Sequence, residues 1–336
     1  MSLDSTIENL LRKGHGLLAA DESLTTLHKR FAANGIEPTT ENRRAWRDLL
    51  VSTPGISQFI SGVILYEETL EQRTQEGELI PQTLAHSGIE VGIKVDHGTK
   101  SFAGHAPELL TEGLDGLRER LVHFHDLGAT FAKWRAVYSI TKSTPTQVTL
   151  IENARTLARY ALSCQEAGLV PIVEPEVLMD GDHDQATCAI VSEAVLHSVF
   201  EALTFYKVKL ETLLLKPNMV LPGQDSKLHP DPGTTAQETL SILRRSVPAA
   251  VPGICFLSGG QSETGATANL DALNRINGNA PWALSFSFAR ALQNSAMHIW
   301  SGKPEKRIEA QTQFSHRAQL NSLAAQGLYD VHMEAT

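Results

Sequence analysis

Eight short apolar runs recur along the 336-residue chain, each closing on polar or ionisable residues, with enough sequence between them for a helix. The runs are Gly16 to Ala20, Ser61 to Tyr66, Val91 to Val95, Thr130 to Trp134, Val170 to Val173, Thr212 to Leu215, Gly253 to Leu257 and Ala283 to Phe286. Runs of this length, apolar on both faces, suit strands buried in a parallel sheet. Gln147 to Ala167 and Thr235 to Arg245 read as crossover helices. Alternating strands and helices predict an α/β fold with a parallel sheet, and eight units predict its closure into a single (β/α)8 TIM barrel. On periodicity alone an open, doubly wound sheet is the alternative. No low-complexity tract or Gly/Ser linker divides the chain, so residues 1–336 read as one domain with a short tail after about residue 329.

A barrel of this kind gathers its chemistry at the carboxyl ends of its strands. In order, those ends are Asp21-Glu22-Ser23, Glu67, Lys94-Val95-Asp96, Lys133-Trp134-Arg135, Glu174-Pro175-Glu176, Lys216-Pro217-Asn218, Ser258-Gly259-Gly260 and Ser287-Phe288-Ala289-Arg290. Eight such ends converging on one face describe a site.

Three lysines, Lys94, Lys133 and Lys216, close apolar strands. Lys216 follows three leucines and precedes Pro217. Desolvation and neighbouring cations there favour the neutral amine, which can attack a carbonyl and form an imine. A lone lysine in such a position is more often structural, held by a carboxylate; three beside paired acids favour chemistry. Glu174 and Glu176 stand two residues apart, so a strand points both the same way. Neighbouring carboxylates are driven to different pKa values, one serving as acid and the other as base. One of the two is also expected to neutralise Lys133 or Lys216. Asp21 is open between a catalytic role and capping the following helix.

Ser258-Gly259-Gly260-Gln261-Ser262 follows the seventh run, and Ser287 and Arg290 follow the eighth. Barrels bind phosphate between these two loops, at a helix amino terminus, and an arginine adds bidentate hydrogen bonds. Lys29-Arg30 with Arg43-Arg44 form a second cationic group, either for another anion or as an exposed helical face.

The rest of the sequence sets bounds. The net charge of −9, with scattered basic residues, argues against a nucleic-acid surface. Three cysteines without CxxC spacing predict a reducing, cytoplasmic compartment rather than a disulfide framework. Met1 is followed by an amphipathic segment with Asp4 and Ser5 as candidate caps, not by a secretory peptide. No run approaches the ~18 apolar residues that span a bilayer, so a soluble protein with no membrane partner is expected.

Taken together, these segments resemble class I fructose-bisphosphate aldolase. The matching stretches are Leu18 to Ser23, Glu41-Asn42-Arg43-Arg44, Gly92 to Asp96, Phe131 to Arg135, Val170 to Glu176, Leu214 to Met219, Phe256 to Ser262 and Arg290-Ala291-Leu292-Gln293. The likeness runs from about Ile7 to Tyr329. It implies a cytoplasmic homotetramer of glycolysis and gluconeogenesis, a lyase without metal or other cofactor. Its reaction is reversible cleavage of fructose 1,6-bisphosphate to dihydroxyacetone phosphate and glyceraldehyde 3-phosphate. By the resemblance Lys216 is the Schiff-base lysine and Glu174 the general acid/base, with Glu176 and Lys133 tuning charge around it. Asp21 orients the substrate hydroxyls. Ser258, Gly259, Gly260, Ser287 and Arg290 cradle the phosphate on the ketone half, and Arg30, Arg43 and Lys94 lie toward the other phosphate.

The chain departs from the family in three places. Thr26 stands where the vertebrate-type motif has serine, and Ala289 where it has glycine. The mobile tail ending in tyrosine of the animal enzymes has no counterpart, the last tyrosine here being Tyr329. A metal-dependent aldolase is disfavoured because His123 and His125 do not share a helical face and Gly181-Asp182-His183-Asp184 reads as a polar loop. Another Schiff-base aldolase, such as a transaldolase, lacks these motifs. A protein-binding barrel scaffold would have lost site residues that are all present here.

Overall fold

The computed structural model describes residues 2–335. Its strands are β1 (Gly16–Ala20), β2 (Ile60–Leu65), β3 (Glu90–Lys94), β4 (Thr99–Ser101), β5 (Leu109–Thr111), β6 (Phe131–Tyr138), β7 (Val170–Val177), β8 (Leu214–Leu215), β9 (Gly253–Phe256) and β10 (Ala283–Phe288). The helices are α1 (Leu3–Leu10), α2 (Leu24–Ala33), α3 (Thr40–Val51), α4 (Glu67–Leu70), α5 (Ile80–His86) and α6 (Leu117–Asp126). They continue with α7 (Gln147–Glu166), α8 (Gln185–Phe205), α9 (Pro232–Ser246), α10 (Glu263–Ile276), α11 (Arg290–Trp300) and α12 (Arg307–Ala324). Eight strands close a parallel barrel in the order β1-β10-β9-β8-β7-β6-β3-β2, as the alternation of runs predicts. The hairpin β4–β5 stands apart from it and was not foreseen.

The period-2 alternation of a strand separates two cores. Leu17 and Ala19 of β1 point into the barrel, where they join Ile64, Phe131, Val170, Ile172, Leu214 and Cys255. Leu18 and Ala20 point outward into the larger core between strands and helices. Helix α1 closes the amino-terminal mouth, adding Ile7 and Leu10 to the interior cluster. Glycines give that plug room. A Cβ on Gly62 would lie 2.7 Å from a Leu10 methyl carbon, and one on Gly92 only 2.2 Å from the Phe131 ring.

Side-chain oxygens fix where the helices begin. Ser23, Thr39, Thr146, Asp184 and Ser262 each accept a hydrogen bond from a backbone N–H three residues on, opening α2, α3, α7, α8 and α10. Two expectations are corrected here. Helix α1 is capped by Ser2, which accepts from the Ser5 N–H at 3.1 Å, rather than by Asp4 or Ser5. Asp21 does not cap α2, since Ser23 does. Helix α8 is also longer and more apolar than expected, enough to cross a membrane on length and composition. It packs in the helical layer, with Cys188, Val195, Leu196, Val199, Phe200 and Leu203 buried.

Candidate active site

Inward positions of the strands change character with height. At the amino-terminal end they are apolar or glycine; two residues further on, the same parity presents Asp21, Lys94, Lys133, Glu174 and Lys216. These side chains line a cleft of about 1070 Å³ at the carboxyl face of the barrel. Strands β6 and β7 run on to Tyr138 and Val177, so Lys133, Glu174 and Glu176 sit within strands rather than beyond their ends. Rigid backbone therefore aims them.

Four groups form a continuous chain of charge on the cleft floor. The Lys133 ammonium lies 2.7 Å from Asp21 Oδ2 and 3.1 Å from Glu174 Oε2. The other oxygen of Glu174 lies 3.0 Å from Lys216 Nζ. All four residues are buried. Burial alone would raise the Asp21 pKa, but the cations of Lys133, Lys216 and Lys94 outweigh it and hold the carboxyl at about 2. Burial likewise works to lower the Lys133 pKa, and Asp21 and Glu174 overcome it, so this ammonium holds its proton far above the ordinary lysine range. A protonated amine has no lone pair for a carbonyl carbon. Lys94 is bound to its own neighbour Asp96, at 2.6 Å to the carbonyl and 2.5 Å to Oδ1. Of the three lysines that close strands, Lys216 has the fewest ties, a single carboxylate.

Glu176 does not touch the two central lysines. It accepts from Arg135 Nε at 2.5 Å, an interaction that keeps the guanidinium charged against the cost of burial. Arg135 lines the cleft and was not among the predicted site residues. The signal was there: it follows Lys133 by two positions and shares its inward parity.

The loop after β9 runs through Gly259 (φ +54°) and Gly260 (φ +98°), conformations that favour glycine. A Cβ on Gly260 would also meet the Gln224 amide nitrogen at 2.6 Å. Across from this loop, the buried Ser287 hydroxyl has no protein partner and faces the cleft. Arg290 begins α11, and Ala289 before it offers no capping side chain. The first N–H groups of such a helix lack intrahelical partners and attract an anion. Ser258, Gly259, Ser287 and Arg290 thus line the cleft, whereas Gly260 does not.

The second cationic group divides. Lys29 and Arg30 line the cleft, with Arg30 ion-paired to Glu22 and donating to Gln293 Oε1 at 2.9 Å. Arg43 lies elsewhere: its guanidinium is bidentate on Glu68, at 2.9 and 2.6 Å, and is absent from the cleft wall. Arg44 pairs with Glu41 at 2.6 Å. Among the described residues no three His, Cys, Asp or Glu side chains meet in metal-binding geometry, and His123 and His125 are exposed on α6.

A family profile described as fructose-bisphosphate aldolase class-I matches residues 2–336. The chain belongs to that family. It is 51% identical over 323 residues to the non-muscle type fructose-bisphosphate aldolase of Lethenteron camtschaticum, covering 96% of this chain and 89% of that one. It is 50% identical over 329 residues to fructose-bisphosphate aldolase B of Gallus gallus, covering 98% and 90%. A solved structure of the Plasmodium falciparum fructose-bisphosphate aldolase, in complex with TRAP and a small molecule inhibitor, superposes with a TM-score of 0.95 at 46% identity, covering 98% and 95%. The family is that of a lyase acting on phosphorylated sugars, and the class I fructose-bisphosphate aldolase reading of the sequence stands.

Proposed function

We propose that this class I aldolase cleaves fructose 1,6-bisphosphate through an imine on Lys216, with Glu174 moving the protons. The observation that carries this reading is the chain Asp21–Lys133–Glu174–Lys216, joined at 2.7, 3.1 and 3.0 Å. The Lys216 amine adds to the sugar ketone, and Glu174 protonates the hydroxyl that leaves as water. In the resulting protonated imine the adjacent C–C bond breaks, its electron pair moving toward the iminium nitrogen to give an enamine. The aldehyde fragment departs as its hydroxyl loses a proton to the Glu174 carboxylate. Protonation of the enamine carbon and hydrolysis of the imine then release dihydroxyacetone phosphate and restore the amine. Asp21, ionised throughout the neutral range, accepts hydrogen bonds from the substrate hydroxyls and fixes their orientation. Lys133 bridges the Asp21 and Glu174 carboxylates and offsets their mutual repulsion, and Glu176 holds Arg135 at the rim.

Borohydride added with dihydroxyacetone phosphate is expected to inactivate the enzyme and leave a reduced adduct on Lys216, located by peptide mapping. An adduct on Lys94 or Lys133 would move the nucleophile. Chelation is expected to leave activity unchanged, whereas a loss restored by zinc would favour metal-assisted cleavage.

The ketone-side phosphate rests between the β9 loop and the start of α11, on Ser258, Gly259, Gly260, Ser287 and Arg290. Losing one charged partner of a desolvated anion costs about 2–5 kcal/mol. Arg290→Ala is therefore expected to weaken dihydroxyacetone phosphate binding by at least about thirtyfold in a calorimetric titration, with the fold unchanged. Arg30 and Lys94, both on the cleft wall, are assigned to the other phosphate from the family resemblance. Arg43 is left out of this assignment because it does not line the cleft and is bound to Glu68.

Tyr329 does not line the cleft. It is buried away from the cleft, its N–H donating to Asp271 at 2.9 Å and its hydroxyl to Glu334 at 2.8 Å. Tyr329→Phe is expected to keep normal cleavage and normal hydrogen exchange into dihydroxyacetone phosphate, while losing about 1 kcal/mol of stability. A hundredfold fall in exchange would bring Tyr329 into the mechanism. A cytoplasmic location follows the names of relatives such as the cytosolic aldolase 4 of Arabidopsis thaliana. The homotetramer is proposed from the family resemblance.

A further inference from the structure

The two helices that leave the phosphate-side loops are fastened to each other outside the cleft. Glu263 opens α10, directly behind the loop Ser258 to Ser262. Its carboxylate accepts from the Ser295 backbone N–H at 3.0 Å and also from the Ser295 hydroxyl. Ser295 belongs to α11, five residues beyond Arg290, or about 7.5 Å along the axis. Neither Glu263 nor Ser295 lines the cleft. The same helix α11 has a second fastening, where Gln293 donates to the Ala19 carbonyl of β1 at 2.7 Å. Helix α10 is steadied in turn by Arg317, a buried α12 side chain that donates to the Glu263 carbonyl at 3.0 Å and to the Thr267 hydroxyl at 2.5 Å. Gln261, within the loop itself, accepts from Asn269 at 2.7 Å.

These contacts leave α11 pinned toward β1 by Gln293 and toward α10 by Glu263. An anion held between two loops needs donors from both at hydrogen-bonding distance at once. Separation of the loops by even part of an ångström removes one set of donors, and misplacement by about 1 Å can cost a hundredfold. A carboxylate accepting two hydrogen bonds is a strong tie for this purpose, because charge-assisted bonds are roughly twice as strong as neutral ones. We propose that Glu263 is a positioning residue that sets the spacing between the β9 loop and Arg290, and thereby the affinity for the ketone-side phosphate. This rests on the assignment of those two loops to that phosphate.

Four variants and two ligands test it. Glu263→Ala is expected to raise the dissociation constant for dihydroxyacetone phosphate roughly tenfold. Borohydride trapping with unphosphorylated dihydroxyacetone should proceed at the normal rate, since Lys216 is untouched. Glu263→Gln, which retains one acceptor, is expected to recover most of the affinity. Equal losses with both ketones would mean general disorder and overturn the proposal, as would a glutamine variant no better than alanine. If the alanine variant does not fold, Ser295→Ala removes one of the two donor groups and must weaken binding by about threefold; no change there overturns it. Arg290→Ala separates the two levels. Weak binding in Arg290→Ala beside normal binding in Glu263→Ala refutes the positioning role alone, and normal binding in both refutes the phosphate assignment itself.

Discussion

Lys216→Met is expected to lower the rate of carbon–carbon cleavage by on the order of 10⁵-fold, about 7 kcal/mol of barrier. The substitution keeps an unbranched, apolar stem below Leu214 and Leu215 and removes only the amine. Without it the electron pair of the breaking bond has no iminium to enter, and a bare ketone is a poor substitute. No neighbouring lysine takes over. Lys133 is held protonated by Asp21 and Glu174, and Lys94 is bound to Asp96. The fold should survive, because Glu174 keeps Lys133 as a partner at 3.1 Å. Single-turnover cleavage of fructose 1,6-bisphosphate, read beside thermal unfolding, checks both parts. A loss below about tenfold in a folded variant would take the imine off the reaction path.

Much of this site was legible because a barrel converts sequence parity into position. Once Leu17 and Ala19 point inward, so must Asp21; once Val170 and Ile172 do, so must Glu174 and Glu176. The same rule, applied one step further along β6, finds Arg135. Long-range pairing obeys no such rule. Arg43 and Arg44 stood out as a basic pair, but Glu68, twenty-five residues from Arg43, decides where Arg43 points. Local details were equally hidden. The cap of α1 depends on which of several neighbouring polar residues adopts extended backbone, and Ser2 does. Each strand of the β4–β5 hairpin has three residues, too few for any periodicity to register. Thr212 ends a 3-10 turn instead of starting β8, leaving that strand only Leu214 and Leu215.

Lys133→Met tests the other half of the charge chain, where the larger cost falls on stability. Its ammonium is shared by two buried carboxylates, and removing it leaves both without their common partner. Breaking a buried ion pair from one side typically costs about 3–5 kcal/mol, measurable by denaturant unfolding near neutral pH. The pH dependence distinguishes lost charge from lost packing. In the native protein burial works to raise the Asp21 pKa, but Lys133, Lys216 and Lys94 hold it at about 2, below its ordinary 3.8. Ionised Asp21 therefore contributes stability that is complete above about pH 4 and is lost as pH falls toward 2. Without Lys133 the largest cationic influence holding that pKa down is gone, so the folded pKa moves up from about 2 and the stability contributed by ionised Asp21 shrinks. The gap between native and variant should narrow as pH falls from about 4 toward 2, whereas a gap of constant size would mean that Lys133 contributes only packing. Activity should change in a related way. With Lys133 gone, Asp21 loses its 2.7 Å partner and Glu174 keeps only Lys216, at 3.0 Å, so borohydride trapping of dihydroxyacetone phosphate is expected to slow. A variant that traps dihydroxyacetone phosphate at the native rate would show that Lys133 does not position its neighbours.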